Sequence, residues 1–315
     1  MEYRRLGKTG LRSSRIGFGC NRIAQSAAPN HRREVEAILE TAFERGINFF
    51  DTADVYSNGE SERLLGKLFR GRRERVILCS KAGYRPWALV PWSRWVSPLL
   101  TGLRRLRPAL NRNPRSGGKP RPPRNYAPRI LRLGVEGSLR RLGTDYLDVF
   151  CLHSPPPEVV ADERVFEVLE DLKQAGLIRH YGVSFAAAAT SDEVLCALRH
   201  SGISILQVLV NPLKAIDLER IVAPAAAAGI AIVGRQPFHR GAVFESRYRS
   251  ALFSSRPDRT VAQTVLRSVL QRPGIDVVLT GMTTREHLDE NLAALAAPPL
   301  SAQEINRLYS LTQVG

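Results

Sequence analysis

The sequence lacks the residue patterns that mark several classes of protein. Its four cysteines share no CxxC spacing and its six histidines form neither an HxxxH nor an HExxH pattern, so no metal site is indicated. No run approaches the roughly 20 apolar residues that span a bilayer, and the first residues lack the order of a signal peptide. We therefore expect a cytoplasmic protein with reduced, buried thiols and no bound metal.

Lysine is scarce, and the net charge of +16 rests on arginine, because only six of the 46 basic residues are lysine, against 30 acidic residues. Such an arginine excess often reflects the base composition of a genome and is weak evidence for a nucleic-acid partner. No nucleic-acid-binding module is recognisable, and aromatic residues are not interleaved through the basic run described below. We expect no nucleic-acid partner.

Short apolar runs alternate with segments of helical periodicity along most of the chain. Eight runs predict strands: Arg15–Cys20, Ile47–Phe50, Arg75–Ser80, Tyr146–Leu152, Arg179–Ser184, Ile203–Val210, Ile230–Val233 and Ile275–Leu279. Each is nearly continuous in apolar residues, as strands buried on both faces are. Helical segments separate the strands, and one more follows the last. Eight such units over 315 residues favour a closed (β/α)8 barrel over an open sheet.

Two segments add to this repeat. Residues 3–20 form two short alternating stretches around a Gly-Lys-Thr-Gly turn, which predicts an N-terminal β-hairpin. Residues 85–124 contain ten Arg or Lys, no Asp or Glu and all three tryptophans, which indicates a long basic insertion after the third strand. The predicted fold class is α/β, a (β/α)8 TIM barrel with both additions, forming a single domain over residues 1–315.

Three interpretations of the insertion 85–124 stay open. As a substrate lid, it would fold over the barrel mouth and offer Trp and Arg side chains to a substrate. As a surface anchor, it would place its apolar residues against a membrane or another protein and its arginines against anionic groups. As a solvated loop, it would follow the usual behaviour of sequence rich in Pro and Arg. The oligomeric state is equally open.

Ionisable side chains stand at or just after the carboxyl ends of three successive predicted strands. Asp51 and Tyr56 belong to the second strand, Lys81 to the third and His153 to the fourth. A barrel gathers such ends at one mouth, where its active site lies. A phenol with a reference pKa near 10 donates a proton poorly at neutral pH unless a neighbouring cation lowers that pKa. Lys81 would be this cation, and Asp51 would hold it through a charge-assisted hydrogen bond.

The motifs around these residues resemble those of the aldo-keto reductase family. The matching stretches are GINFFDTADVYSNGESERLLGK, VILCSKAG, GSLRRLGTDYLDVFCLH, LIRHYGVS, QVLVNP and GMTTREHLDEN, in the family's order over nearly the whole chain. The resemblance implies an NAD(P)H-dependent oxidoreductase that reduces a small aldehyde or ketone, or oxidises the matching alcohol or sugar. Tyr56 would be the general acid, tuned by Lys81 and Asp51. His153 would orient the substrate carbonyl.

The same resemblance implies where a nicotinamide cofactor binds. The matching positions are Asp51, Ser184, Gln207, Arg235, Gly281, Thr283, Thr284, Arg285, Glu290 and Asn291. No GxGxxG fingerprint follows the first strand, so the dinucleotide would bind without it. The loop after the last strand, with the start of the following helix, is the usual phosphate site of such barrels. NADPH is expected, because Arg285 is available for its additional phosphate. NADH is the alternative, because Met282 and His287 stand where NADPH-specific members commonly have Arg or Lys.

Two positions depart from the family's pattern near the nicotinamide. Phe185 stands where the family usually has Asn after the serine of GVSN. Arg235 stands where the residue that stacks on the nicotinamide is often aromatic, and a guanidinium can either stack or reach a phosphate. These departures keep a second function open, that of an NADPH-binding regulatory or scaffold barrel without significant turnover.

Overall fold

Short buried strands and the helices between them make up most of the chain. The computed structural model describes residues 1–24, 29–84, 123–214, 216–245 and 258–310. Its strands are β1 Tyr3–Arg5, β2 Arg12–Ser14, β3 Ile16–Gly19, β4 Phe49–Asp51, β5 Ile77–Ala82, β6 Leu147–His153, β7 Ile178–Ser184, β8 Ile203–Leu209, β9 Ala231–Arg235 and β10 Ile275–Thr280. Its helices are α1 Pro29–Glu44, α2 Glu60–Leu68, α3 Pro128–Leu142, α4 Pro157–Val160, α5 Glu163–Gln174, α6 Ser191–Ala197, α7 Leu218–Ala227, α8 Val261–Leu270, α9 Arg285–Ala296 and α10 Ala302–Ser310.

Strands β3 to β10 close into a parallel barrel in the order β10-β3-β4-β5-β6-β7-β8-β9. Helices lie between successive strands, so the predicted (β/α)8 TIM barrel is confirmed. The N-terminal hairpin is confirmed as well, because β1 pairs antiparallel with β2 and Tyr3 lies opposite Ser14. The end of the segment predicted as the hairpin turns away after Ser14 and becomes the first barrel strand, β3.

All eight predicted barrel strands are present, and no end shifts by more than two residues. The shifts matter at the carboxyl ends, where they bring predicted site residues into the sheet. Asp51 is the last residue of β4 and pairs with Gly19 on one side and Cys79 on the other. Lys81 likewise lies within β5 and pairs with Cys151. The backbone of these two residues is therefore fixed by the barrel itself.

Alternation along the strands separates two apolar layers. The inner layer fills the barrel and includes Phe49, Cys79, Val149, Cys151, Ile205, Val233 and Val277. The next residue along a strand faces outward, as Phe50 does, and packs in the layer between strands and helices. Side chains in a strand repeat every two residues, so the position that follows such an outward residue faces inward again.

The four cysteines form no disulfide bond. Cys20, Cys79 and Cys151 are buried and Cys196 is partly exposed, and all four are free thiols. Among the described residues, no helix is long and apolar enough to cross a membrane. In the same ranges, no group of three or more His, Cys, Asp or Glu side chains is placed to hold a metal ion.

The basic insertion leaves and rejoins the barrel at one point. Tyr84, two residues after β5, forms an isolated antiparallel bridge with Arg124. The backbone N–H of Asn125 then donates to the carbonyl oxygen of Gly83 at 2.8 Å. Residues 85–122 lie outside the described residues, so the three interpretations of the insertion stay predictions. We call the paired residues 83–84 and 124–125 the neck of the insertion.

Candidate active site

Strand periodicity explains why the predicted site residues meet. Five of them follow an inward-facing core residue by two positions, so their side chains lie at the mouth of the barrel. The pairs are Phe49 and Asp51, Cys79 and Lys81, Cys151 and His153, Ile205 and Gln207, and Val233 and Arg235. The second member of every pair lines one cavity of about 600 Å³, together with Tyr56 and Ser184.

A buried ion pair forms the base of this cavity. The Lys81 ammonium donates to Asp51 Oδ2 at 2.6 Å and to the carbonyl oxygen of Thr52 at 2.8 Å. Gln207 Nε2 donates to the other carboxylate oxygen of Asp51 at 2.7 Å. Lys81 is 2% exposed and Asp51 5%. Burial by itself would lower the pKa of Lys81, but the charge of Asp51, with a smaller contribution from Tyr56, raises it, so Lys81 stays a cation.

Tyr56 lies above this pair, with the Lys81 ammonium 5.3 Å from the centroid of its ring. Burial raises the pKa of the Tyr56 hydroxyl, Lys81 lowers it, Asp51 raises it and Arg235 lowers it, and the net pKa is raised. The expectation that Lys81 would bring this pKa below its usual value is therefore wrong for the protein without ligand, although the direction of Lys81's own effect is as expected. Burial raises the pKa of Tyr56 by more than the Lys81 cation lowers it. Tyr56 consequently keeps its proton at neutral pH, as a proton donor must.

Aromatic neighbours fix the position of His153. Its ring meets that of Tyr56 edge to face, with centroids 5.7 Å apart, and that of Tyr84 at 4.8 Å. The Tyr126 hydroxyl donates to the backbone carbonyl oxygen of His153 at 2.8 Å. Tyr84 belongs to the neck of the insertion and Tyr126 directly follows it, so the chain at both ends of the insertion supports His153. No sequence motif pointed to these two tyrosines.

A second charged cluster lies behind the site. Glu62 on α2 is fully buried, accepts from Arg141 Nε at 2.5 Å and accepts from the Ser80 hydroxyl at 2.6 Å. Asp54 is 2% exposed, and its Oδ1 has no hydrogen-bond partner. Burial and the negative charge of Glu62 hold the pKa of Asp54 well above its usual range, although Arg141 and Lys81 act in the opposite direction. Asp54 is thus a carboxyl group that the fold favours in its protonated form.

Replacing Asp54 with asparagine should stabilise the protein at high pH. A carboxyl whose folded pKa is raised contributes stability below its unfolded pKa of about 3.9 and loses it as the pH rises through the folded pKa. Asp54→Asn removes that loss, so its free energy of unfolding at pH 8 should exceed that of the parent by on the order of 1 kcal/mol. Urea unfolding at pH 4 to 8 measures this difference.

The stabilisation by Asp54→Asn should shrink as the pH falls towards 4, because the folded carboxyl is then protonated and the unfolded carboxyl, with a pKa of about 3.9, is about half protonated. Asp192→Asn is the matched control, because the Asp192 side chain is 75% exposed and pairs with Arg220 only at the surface. That control should change stability by less than about 1 kcal/mol. A parent protein more stable than Asp54→Asn at pH 8 would show that Asp54 is ionised without cost.

The polar groups near Gln207 suit the amide of a nicotinamide ring. Gln207 is fully buried and its Oε1 has no hydrogen-bond partner, although the residue lines the cavity. Ser184, at the end of the neighbouring strand β7, is 3% exposed and lines the same cavity. An acceptor and a hydroxyl side by side match a carboxamide, which has both donors and an acceptor. The residues present thus fit the nicotinamide end of a dinucleotide.

The other end of the cavity is formed by the loop between β10 and α9. Gly281, Thr283, Glu290 and Asn291 line it, and their contact with the adenosine half of a cofactor stays a prediction. A side chain added at Gly281 would meet nothing within 4 Å, so the backbone there is open to a ligand. The peptide groups at the start of α9 add a favourable field for phosphate.

Two predicted cofactor residues lie outside this cavity. The Thr284 hydroxyl caps α9 by accepting the backbone N–H of His287 at 3.2 Å. Thr284 and Arg285 instead border a shallower groove between α9 and α1. Their contact with a cofactor stays a prediction, and His287, which does line the cavity, is better placed than either.

The mouth loops also hold residues that sequence reasoning missed. Asn21 and Arg22 follow β3, Ser154 follows β6, and Gln236 and Arg240 follow β9, and all five line the cavity. Among the described residues, those with positive φ other than glycine lie after β4, β6 and β9: Ser57, Asn58, Ser154, Gln236, His239 and Arg240. Backbone strain of this kind clusters at functional sites. The rule that barrels place their site after strand ends could have found Asn21 and Arg22, but no rule gives these φ angles from sequence.

Comparisons with known proteins agree with this fold and site. The aldo/keto reductase family model matches residues 15–313. An uncharacterised oxidoreductase, YqkF of Bacillus subtilis, is 28% identical, with 99% of this chain and 97% of that protein aligned. The holo form of aldo-keto reductase AKR11C1 from Bacillus halodurans has a TM-score of 0.77 at 25% identity, covering 99% of this chain and 96% of that one. An aldo-keto reductase from Klebsiella pneumoniae in complex with NADPH has a TM-score of 0.71 at 25% identity, covering 99% and 96%.

The fold and the site together define a barrel oxidoreductase. Since the family model spans nearly the whole chain, the chain belongs to the aldo/keto reductase family. The predicted resemblance and the predicted class, an NAD(P)H-dependent oxidoreductase, are confirmed. The roles of individual residues stay predictions.

Proposed function

We propose that this aldo/keto reductase reduces an aldehyde or ketone with NADPH, using Tyr56 as the general acid. The observation that carries the proposal is the convergence of four side chains on one cavity. The Lys81 ammonium lies 2.6 Å from Asp51 and 5.3 Å from the Tyr56 ring centroid. The Tyr56 and His153 rings are 5.7 Å apart. These four residues line the same cavity as Gln207 and Ser184, the residues that would hold the nicotinamide.

Gln207 and Ser184 would hold a nicotinamide beside the carbonyl carbon, and this ring would supply the hydride that reduces it. Tyr56 holds a proton at its hydroxyl and donates it to the carbonyl oxygen, so the product is the alcohol. His153 donates a hydrogen bond to the same oxygen and fixes its position. Lys81 then stabilises the phenolate left on Tyr56, and Asp51 keeps Lys81 in place. A positioned acid of this kind contributes about 10² to 10⁴-fold in rate.

Different residues of the chain would hold different parts of the cofactor. Gln207 and Ser184 would hold the carboxamide of the nicotinamide, and Asp51 would lie near its ribose. Gly281 and Thr283, with the start of α9, would bind phosphate. Glu290 and Asn291 would contact the adenine, and Arg285 would favour the additional phosphate of NADPH, with NADH as the alternative. The single domain over residues 1–315 and the cytoplasmic location stay predictions.

A fluorescence titration of the full chain with NADPH and NADH tests this proposal. The same sample is then given a panel of carbonyl compounds, and oxidation of the cofactor is followed by the loss of nicotinamide absorbance. We expect tight binding of NADPH and oxidation with at least one carbonyl. Binding without oxidation across the panel would favour the regulatory or scaffold barrel instead. Failure to bind either cofactor would reject both functions.

A further inference from the structure

The two departures from the family pattern are in contact with each other. Arg235 Nη2 donates to the backbone carbonyl oxygen of Phe185. The Phe185 backbone N–H in turn donates to the carbonyl oxygen of Gln207 at 2.9 Å, and its ring is 2% exposed in the outer apolar layer. The Phe185 ring therefore does not enter the cavity. Its backbone fixes the Arg235 guanidinium at the mouth, between the ends of β7 and β9.

The Arg235 guanidinium has donors left for a ligand. Its Nε is buried and has no hydrogen-bond partner, yet the residue lines the cavity. Among the described residues, no carboxylate lies within ion-pair distance of it. The Asp51 carboxylate, which lines the same cavity, already accepts hydrogen bonds from Lys81 and Gln207. A largely buried cation without a paired anion is costly, and a bound anion offsets that cost.

The other arginines that line the cavity favour an anion near Arg235. Arg240 and Arg22 line the same cavity, and Arg240 acts on Arg235 as a like charge. The acidic residues that line the cavity are Asp51, which is paired with Lys81, and Glu290, which lies on α9 at the opposite end. The side of the cavity next to Tyr56 therefore carries uncompensated positive charge.

We propose that Arg235 binds a carboxylate carried by the carbonyl substrate, so that the preferred substrates are aldehyde or keto acids. This inference rests on the proposed reductase function, since it names the substrate class of the same site. A cofactor phosphate is the less suitable anion, because the open backbone for phosphate is at Gly281 and the start of α9, whereas the Arg235 guanidinium is held by the Phe185 carbonyl oxygen just after β7. The planar guanidinium fork matches a carboxylate and needs only two donors besides the one held by Phe185.

Matched acid and neutral substrates test the role of Arg235. We compare 4-carboxybenzaldehyde with 4-carbamoylbenzaldehyde, and 4-oxobutanoate with butanal, at two carbonyl-to-carboxylate spacings. In the parent protein kcat/KM should favour the acid of at least one pair. Arg235→Gln should lower that acid-to-neutral ratio by about 10- to 100-fold, as expected for losing hydrogen bonds to a charged group. Arg235→Lys should restore only part of the ratio, because it keeps the charge and loses the fork.

Arg240→Gln is the matched control, because Arg240 is an exposed arginine of the same cavity. It should lower the ratio by less than about threefold, the effect expected of an exposed charge. An equal fall of the acid-to-neutral ratio in Arg240→Gln would mean that the overall positive charge of the cavity selects the acid. That result would overturn the assignment to Arg235. An unchanged ratio in Arg235→Gln, with NADPH affinity lowered more than tenfold, would assign Arg235 to the cofactor and also overturn it.

A binding measurement separates this inference from the proposed function. Calorimetric titration of the protein with benzoate and with benzamide, in the presence of NADP⁺, needs no turnover. The parent should prefer benzoate by at least about tenfold and Arg235→Gln should lose that preference. If no carbonyl is reduced but the benzoate preference depends on Arg235, the reductase function fails and the anion site stands. Equal affinity for benzoate and benzamide in the parent protein would overturn the anion site.

Discussion

Replacing Tyr56 with phenylalanine should lower carbonyl turnover by about 10² to 10⁴-fold while leaving NADPH affinity nearly unchanged. The change removes only the hydroxyl that donates the proton, and the ring contact with His153 remains. Burial raises the pKa of the Tyr56 hydroxyl, so it still holds its proton at neutral pH when the carbonyl binds. Steady-state kinetics and a parallel fluorescence titration with NADPH measure the two effects on one sample.

Tyr3→Phe controls for the loss of a tyrosine hydroxyl as such. Tyr3 lies in the N-terminal hairpin and its hydroxyl donates to the carbonyl oxygen of Gly46, away from the cavity. Turnover of that variant should stay within about twofold of the parent. Normal turnover in Tyr56→Phe would reject the tyrosine as the acid, whereas a loss of NADPH affinity equal to the loss of turnover would make Tyr56 a binding residue.

Replacing Lys81 with methionine should both destabilise the protein and abolish most of its turnover. The Asp51 carboxylate would remain buried without its cation, and such a broken pair costs about 3 to 5 kcal/mol. The phenolate of Tyr56 would lose the charge that stabilises it, so proton transfer would slow as well. Urea unfolding, with the slope checked for two-state behaviour, gives the change in free energy of unfolding.

A double variant makes the stability prediction specific. Lys81→Met combined with Asp51→Leu leaves no unpaired charge, so it should be less destabilised than the sum of the two single variants. Lys67→Met is the exposed control, because the Lys67 side chain is 65% exposed in its pair with Glu36 and should contribute less than about 1 kcal/mol. Additive losses in the double variant would mean that Lys81 and Asp51 do not stabilise one another.

The sequence was sufficient for the parts of the site that strand periodicity controls. Asp51, Lys81 and His153 lie at or next to the carboxyl ends of successive buried strands, and a parallel barrel must bring such ends to one mouth. The net pKa of Tyr56 could not be predicted, because burial, which outweighs Lys81, depends on the closed barrel. The Arg235 contact with Phe185 was equally out of reach, since it joins a side chain to a backbone carbonyl 50 positions away. The positive φ angles at Gln236 and Arg240 could not be predicted either, because neither residue is a glycine.

The neck of the insertion limits how much the insertion can lower the free energy of unfolding of the barrel. Tyr84 and Arg124 are held together by an isolated antiparallel bridge and by the Gly83–Asn125 hydrogen bond, so the two ends of the insertion lie side by side. The chain entropy lost on closing a flexible loop grows only as the logarithm of its length, at roughly 0.6 kcal/mol per doubling. Changing the number of residues between Tyr84 and Arg124 should therefore change the free energy of unfolding of the barrel only slightly. This position, close to His153 in the structure, is where residues could be inserted without unfolding the enzyme.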